Sequence, residues 1–171
     1  LNLMQRERIT AVIPIQEFSE DKYLIAVTKQ GTIKKTALSQ FDTNRKNGLI
    51  AMNLKEGDEL IGIKQTSGTN NVIIVTKQGK CICFSEDDVR PMGRIAGGVR
   101  AIKLEGDDEV VAMQLNTQGT QLLLVSEYGM GKCTNIEEFT PQHRGGKGIK
   151  CYKITEKTGN VVAAKAVNSD N

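Results

Sequence analysis

The sequence predicts an all-β protein built from repeated units of about fifty residues, each holding about four strands. Three observations carry that prediction. The chain repeats itself with this period, each copy contains short branched apolar runs closed by glycine turns, and no stretch sustains a capped helical periodicity.

The first copy runs from Arg8-Ile9-Thr10-Ala11-Val12 to Met52-Asn53-Leu54, giving a unit over 8–54. The second, 59–104, opens on Glu59-Leu60-Ile61-Gly62-Ile63 and closes on Ile102-Lys103-Leu104. The third, 109–154, opens on Glu109-Val110-Val111-Ala112-Met113 and closes on Tyr152-Lys153-Ile154. Gly48, Gly98 and Gly148 stand fifty apart, as do Leu54, Leu104 and Ile154. Residues 1–3 (Leu-Asn-Leu) match the close of a unit, and 160–167 match the start of one, so partial copies flank the three complete ones. Residues 1–171 therefore read as part of one domain, a partial array with open strand edges at both ends.

Within each copy the first element is the opening run just named. Next come Leu24-Ile25-Ala26-Val27, Val72-Ile73-Ile74-Val75 and Leu122-Leu123-Leu124-Val125, continuous apolar runs suited to strands buried on both faces. The turns Thr28-Lys29-Gln30-Gly31, Thr76-Lys77-Gln78-Gly79 and Ser126-Glu127-Tyr128-Gly129 follow, with a glycine free to take positive φ, and predict hairpins into a third strand. Four strands in this length is the size of a propeller blade; a β-solenoid, the competing architecture, uses shorter repeats.

Composition narrows the class. With 39% hydrophobic and 25% charged residues the chain is globular in character. No apolar run approaches the roughly 20 residues that cross a bilayer, and Leu1-Asn2-Leu3-Met4-Gln5-Arg6 lacks a signal-peptide core, so a cytoplasmic location is expected. Cys81, Cys83, Cys133 and Cys151 form no metal-ligand spacing and are expected to be reduced; in a strand, Cys81 and Cys83 share one face. Catalysis finds no constellation. His143 is the single histidine, Tyr23, Tyr128 and Tyr152 resemble no nucleophile site, and the acids of Glu105-Gly106-Asp107-Asp108-Glu109 look solvated. No nucleotide loop is present, because Gly129-Met130-Gly131-Lys132 is followed by no helix.

Charge is sorted by position in the unit. Residues 29–46 carry five cations (Lys29, Lys34, Lys35, Arg45, Lys46) against one acid. Residues 77–100 carry five (Lys77, Lys80, Arg90, Arg94, Arg100) against three, and 127–150 carry four (Lys132, Arg144, Lys147, Lys150) against three. The connectors 55–59 and 105–109 are net acidic. Units related by rotation turn such positions into rings, and a basic ring suits successive phosphates of a duplex, bound without regard to sequence. Ordinary solvated surface is the alternative. The lack of Trp and of basic–aromatic interleaving argues against a single-strand reader.

Gln142-His143-Arg144-Gly145-Gly146-Lys147-Gly148 is the most distinctive heptad. Its glycines allow close backbone approach and free N–H donors, and Arg144 and Lys147 supply charge for phosphate; a tight turn between strands is the plain alternative. The heptad resembles the box of the bacterial DNA gyrase A C-terminal domain family, with His143 in place of the first arginine. Arg8-Ile9-Thr10-Ala11-Val12-Ile13-Pro14-Ile15, Gly57-Asp58-Glu59-Leu60-Ile61-Gly62 and Gly97-Gly98-Val99-Arg100 share the resemblance, which spans essentially the whole chain. In that family the defining box lies in the first blade, whereas this heptad lies in the third complete unit; Asn44-Arg45-Lys46-Asn47-Gly48 and Gly93-Arg94-Ile95-Ala96-Gly97-Gly98 are its counterparts here.

The resemblance implies a β-pinwheel, a propeller variant in which neighbouring blades exchange strands. It also implies wrapping of double-stranded DNA around the outer rim, in association with the nucleoid. The gyrase B subunit, with the rest of the gyrase A subunit, would then complete a heterotetramer that introduces negative supercoils. Catalytic tyrosine, ATP and Mg2+ would belong to other parts of that enzyme, leaving no cofactor in this chain. Topoisomerase IV, and a propeller that binds proteins through its acidic ring, are the alternatives.

Overall fold

The computed structural model describes residues 7–13, 22–38, 48–54, 56–93 and 97–168. The apolar runs are the central strands of three sheets. Chain order gives β1 (Glu7–Ile13), β2 (Tyr23–Thr28), β3 (Thr32–Ala37), β4 (Gly48–Asn53), β5 (Leu60–Thr66), β6 (Asn71–Thr76) and β7 (Lys80–Ser85). There follow β8 (Val99–Arg100), β9 (Val110–Leu115), β10 (Gln121–Ser126), β11 (Gly131–Asn135), β12 (Ile149–Lys150) and β13 (Val161–Val167). Helix among the described residues is confined to single 3-10 turns, including Glu86–Asp88 and Ile136–Glu138.

The hairpins form where the glycine turns predict them. Gly31, Gly79 and Gly129 have φ of 89°, 85° and 81°, and each donates its N–H to the residue that opens its turn: Thr28, Thr76 and Ser126. Thr28 and Thr76 also accept, through their hydroxyls, the N–H of Thr32 and Lys80, which tightens the turn.

The strands of one sequence unit do not stay together. The hairpin β2–β3 lies between β5 and β8, the first and last strands of the next unit, in the order β5-β2-β3-β8. The second hairpin is flanked in the same way, β12-β7-β6-β9. The third sheet has three strands, β11-β10-β13, and β1 pairs with β4 in a two-stranded ribbon. This exchange ties each sheet to the next covalently. It also corrects the expectation of an unpartnered partial copy at 160–167, since β13 pairs with β10 from Gln121↔Val167 to Ser126↔Val161. Leu1-Asn2-Leu3 lies outside the described residues.

Stacking of sheets makes the core. Ile25, Val27 and Ile33 on the first sheet pack with Val72, Ile74, Ile82 and Phe84 on the second. The opposite face of the second sheet, Ile73, Val75, Cys81 and Cys83, packs with Leu122 and Leu124 on the third. That explains the continuous apolar runs: β2 and β6 are covered on both faces, while in β10 Leu123 and Val125 remain half-buried between fully buried neighbours. The cysteines are free thiols, and Cys133 alone among them is exposed. Cys81 and Cys151 share a hydrogen bond that, together with burial, holds the Cys81 thiol far above its ordinary range.

Candidate nucleic-acid interface

Each four-stranded sheet is closed on its outer side by a segment that runs back along the hairpin. Pro91 and Pro141 open these segments, fifty residues apart. Just after them, Met92 and Gln142 donate their backbone N–H to Lys35 O and Cys83 O, both at 2.7 Å. The segments end on the turn glycines: Gly31 O accepts from Ala101 (2.7 Å) and Ile102 (3.4 Å), and Gly79 O accepts from Cys151 (2.7 Å) and Tyr152 (3.1 Å). Midway, Gly98 and Gly148 sit at φ of 91° and 75° against strand carbonyls. A Cβ at either would lie 2.6 Å from Ile33 O or 2.5 Å from Cys81 O, so glycine is required for the segment to reach the sheet.

Successive closing segments also join each other, and the heptad makes the joint. Gly145 N–H donates to Ala101 O at 2.6 Å, and Lys103 N–H donates to Gly146 O at 2.8 Å. Arg144 braces it, donating from Nε to Asp88 O at 3.0 Å and from Nη1 to Arg100 O at 3.1 Å. His143, 97% exposed, holds Nδ1 3.3 Å from Asp88 Oδ2. The heptad is thus more than a turn, and two of the Arg144 guanidinium donors bond the protein's own backbone.

The predicted cations divide into four groups. Arg90, Arg100, Lys132, Lys147 and Lys150 are exposed, as are Gln142 and Gly146; Lys29, Lys77, Lys80, Arg144, Gly145 and Gly148 are half-buried. Lys34 and Lys35 were expected on the basic surface and are instead buried, each about 3% exposed. They lie mid-strand in a sheet covered on both faces, and Lys35 Nζ is 3.4 Å from Glu86 Oε1 and 4.5 Å from the Tyr23 ring centroid. Arg45, Lys46 and Arg94 lie outside the described residues.

Sequence reasoning missed Lys103 and Lys153. Both are exposed, both follow a closing strand, and they stand fifty apart just beyond the windows that ended at Arg100 and Lys150. Their spacing was the available signal. Together Arg100, Lys103, Lys150 and Lys153 place equivalent exposed cations on two joined closing segments.

The acidic connectors are not merely a solvated counter-ring, because Asp58 and Asp108 are buried turn-locks. Asp58 Oδ1 accepts from Gln30 N and Glu59 N, both at 2.9 Å, and Asp108 Oδ1 accepts from Gln78 N and Glu109 N. Glu105 remains at the surface between Lys147 (3.3 Å) and Lys80 (3.5 Å). The hydrogen bond from Lys147, and then the charge of Lys80, hold its carboxyl below the usual carboxylate range. Lys29 likewise faces Glu109 at 3.6 Å. No group of three metal-capable side chains occurs among the described residues, and no helix there is long and apolar enough to cross a membrane.

Comparison with known proteins gives a consistent picture. The family described as "DNA gyrase C-terminal domain, beta-propeller" matches residues 22–67, 70–116 and 120–168, each span beginning at a hairpin and ending at the first strand of the next unit. A curated relative, the A subunit of DNA gyrase from Halalkalibacterium halodurans, is 52% identical over 100 residues, which cover 58% of this chain and 12% of the relative. Among solved structures, a C-terminal domain of DNA topoisomerase IV superposes with a TM-score of 0.80 at 27% identity, over 90% of this chain and 48% of that one. A DNA gyrase A C-terminal domain superposes with a TM-score of 0.78 at 29% identity, over 90% and 51%. The chain therefore spans about half of these solved domains and a small part of the curated relative.

Proposed function

The chain belongs to the family of DNA gyrase C-terminal β-propeller domains, and on that premise we propose that it binds double-stranded DNA through the phosphate backbone and wraps it along the line of joined closing segments. It does so as a non-catalytic part of a type II topoisomerase, carried by a gyrase A subunit that works with gyrase B and ATP to introduce negative supercoils. The observation that supports this best is the recurrence of exposed cations, Arg100 with Lys150 and Lys103 with Lys153, at equivalent positions of segments bonded to each other. Cations repeated along a curved rigid edge neutralise successive phosphates and carry no base readout, so the binding is indifferent to sequence and falls with salt.

Titration of random-sequence duplexes tests it: log K should fall linearly with log salt, and Arg100→Ala with Lys150→Ala should flatten that slope by up to about two, near one per lost phosphate contact. Equal binding at low and high salt would sink the proposal. Wrapping is read separately. A relaxed closed plasmid saturated with the protein and re-relaxed by a type I topoisomerase should retain a changed linking number after the protein is removed; binding without that change would leave backbone contact but no wrap.

A further inference from the structure

The single histidine of the chain stands on the joint that the heptad makes, and its geometry fixes which of its nitrogens meets solvent. His143 is 97% exposed, and its Nδ1 lies 3.3 Å from Asp88 Oδ2. An ionised carboxylate can only accept, so in the neutral ring Nδ1 carries the hydrogen and Nε2, on the far side, is bare. Asp88 is itself held in place. It belongs to the turn Glu86–Asp88, whose Glu86 is enclosed, and its Oδ2 also accepts the Arg144 N–H at 3.3 Å. Among the described residues Asp88 is the acid within ion-pair distance of the imidazole. The adjacent cation, Arg144, turns its guanidinium to Asp88 O and Arg100 O.

One proton therefore changes what the outer edge of the ring can do. Neutral, it presents Nε2 as an acceptor, which a phosphate oxygen cannot satisfy. Protonated, it presents a charged Nε2–H donor, which a phosphate oxygen accepts. The surroundings suit that ligand, because the exposed cations Arg100, Lys103, Lys147 and Lys150 belong to the same two bonded segments. The residue fifty positions earlier is Gly93, so the feature belongs to this joint and not to the repeat as such. Resting on the proposed binding of duplex backbone, we infer that His143, positioned by Asp88, is a proton-dependent phosphate ligand, so that DNA is held more tightly as pH falls through the range in which an imidazole titrates. The sign follows from linkage. DNA prefers the protonated ring, so affinity is level above that range, rises through it and levels again below it. Glu105, whose carboxyl is held below the usual carboxylate range, stays ionised throughout and does not imitate the effect.

Two measurements keep this apart from the reading it rests on. Without DNA, the nitrogen chemical shifts of the one imidazole should show the neutral ring protonated on Nδ1, and Asp88→Ala should release that preference. A neutral ring protonated on Nε2 in the unaltered chain overturns the inference whether or not DNA binds. With a random-sequence duplex at fixed salt, affinity should rise about three- to tenfold between about pH 8 and about pH 5.5, and the salt slope should be steeper by about one at the lower pH. His143→Gln should flatten the pH dependence, and His143→Lys should keep the steeper slope at both pH values, with circular dichroism showing each variant folded. Affinity that is level across the range, or a rise that persists in His143→Gln, overturns the inference and leaves salt-dependent DNA binding standing. No binding at any pH or salt sinks the proposed function and the inference with it.

Discussion

Lys35 and Glu86 form a buried ion pair at the junction of the first two sheets, with Glu86 fully enclosed. The carboxylate is well supplied: Thr66 Oγ1 donates to Oε1 at 2.8 Å and Asn70 N–H to Oε2 at 2.9 Å. At the next junction the equivalent positions are Cys83 and Ile136, both in one apolar cluster. The same fold thus accepts a satisfied charge pair or an apolar pair, but not half of either. Lys35→Met alone should cost about 3–5 kcal/mol in denaturant unfolding, since it strands a buried carboxylate. Lys35→Cys with Glu86→Ile should recover part of that loss, with a coupling of about 1–3 kcal/mol; simple additivity would show the pair is not a unit. Glycines at this scale behave by neighbourhood. Gly79→Ala and Gly129→Ala both force positive φ on alanine, at about 1 kcal/mol or more. Only at Gly79 does the new Cβ also collide with Tyr152 O, so its melting temperature should fall further.

At the scale of elements, the closing segment is both a structural clasp and the carrier of the rim cations. Its charges are not all available to a ligand. Glu105 holds Lys147 and Lys80, and its lowered proton affinity means that the attraction is present above the usual carboxylate range and is lost only as pH falls through that lowered value. On the proposed binding mode, the carboxylate would compete with phosphate for two lysines near neutral pH. Glu105→Gln should tighten duplex binding and steepen the salt slope by up to about one. Arg144→Ala should act differently. Because its guanidinium spans Asp88 O and Arg100 O, its loss should loosen the joint between segments and weaken binding through position as well as charge. Unfolding and binding measured on the same variant separate the two.

For the whole molecule, strand exchange makes stability cumulative along the array, with each sheet depending on strands that the next unit supplies. Among the described residues the third sheet has three strands against four in the first two, with none outside β11. Native-state hydrogen exchange should find the backbone amide of Cys133 less protected than those of Lys35 and Cys83, which occupy the same position in closed sheets. Equal protection at all three would mean that the third sheet is closed in solution.

Period, strand identity and turn geometry were legible because they are local. Branched runs such as Val72-Ile73-Ile74-Val75 and glycines such as Gly31 act through their own backbone preferences, and fifty-residue spacing repeats them. The rim cations Arg100 and Lys150 were legible for the same reason, and Lys103 and Lys153 obeyed the same spacing. What the linear chain did not disclose was which unit completes which sheet. The sequence places β8 and β12 at the ends of units, yet each closes the hairpin of the preceding unit. Burial follows from that choice, so Lys34 and Lys35 look like surface cations in a window of charges and are interior in the folded sheet. Arg144 reads as a free cation in the sequence, and the tertiary structure adds Asp88 O and Arg100 O as partners of its side chain. Local propensity set the pieces; which surfaces lost their water depended on contacts between residues about fifty positions apart, and only the tertiary structure decided those.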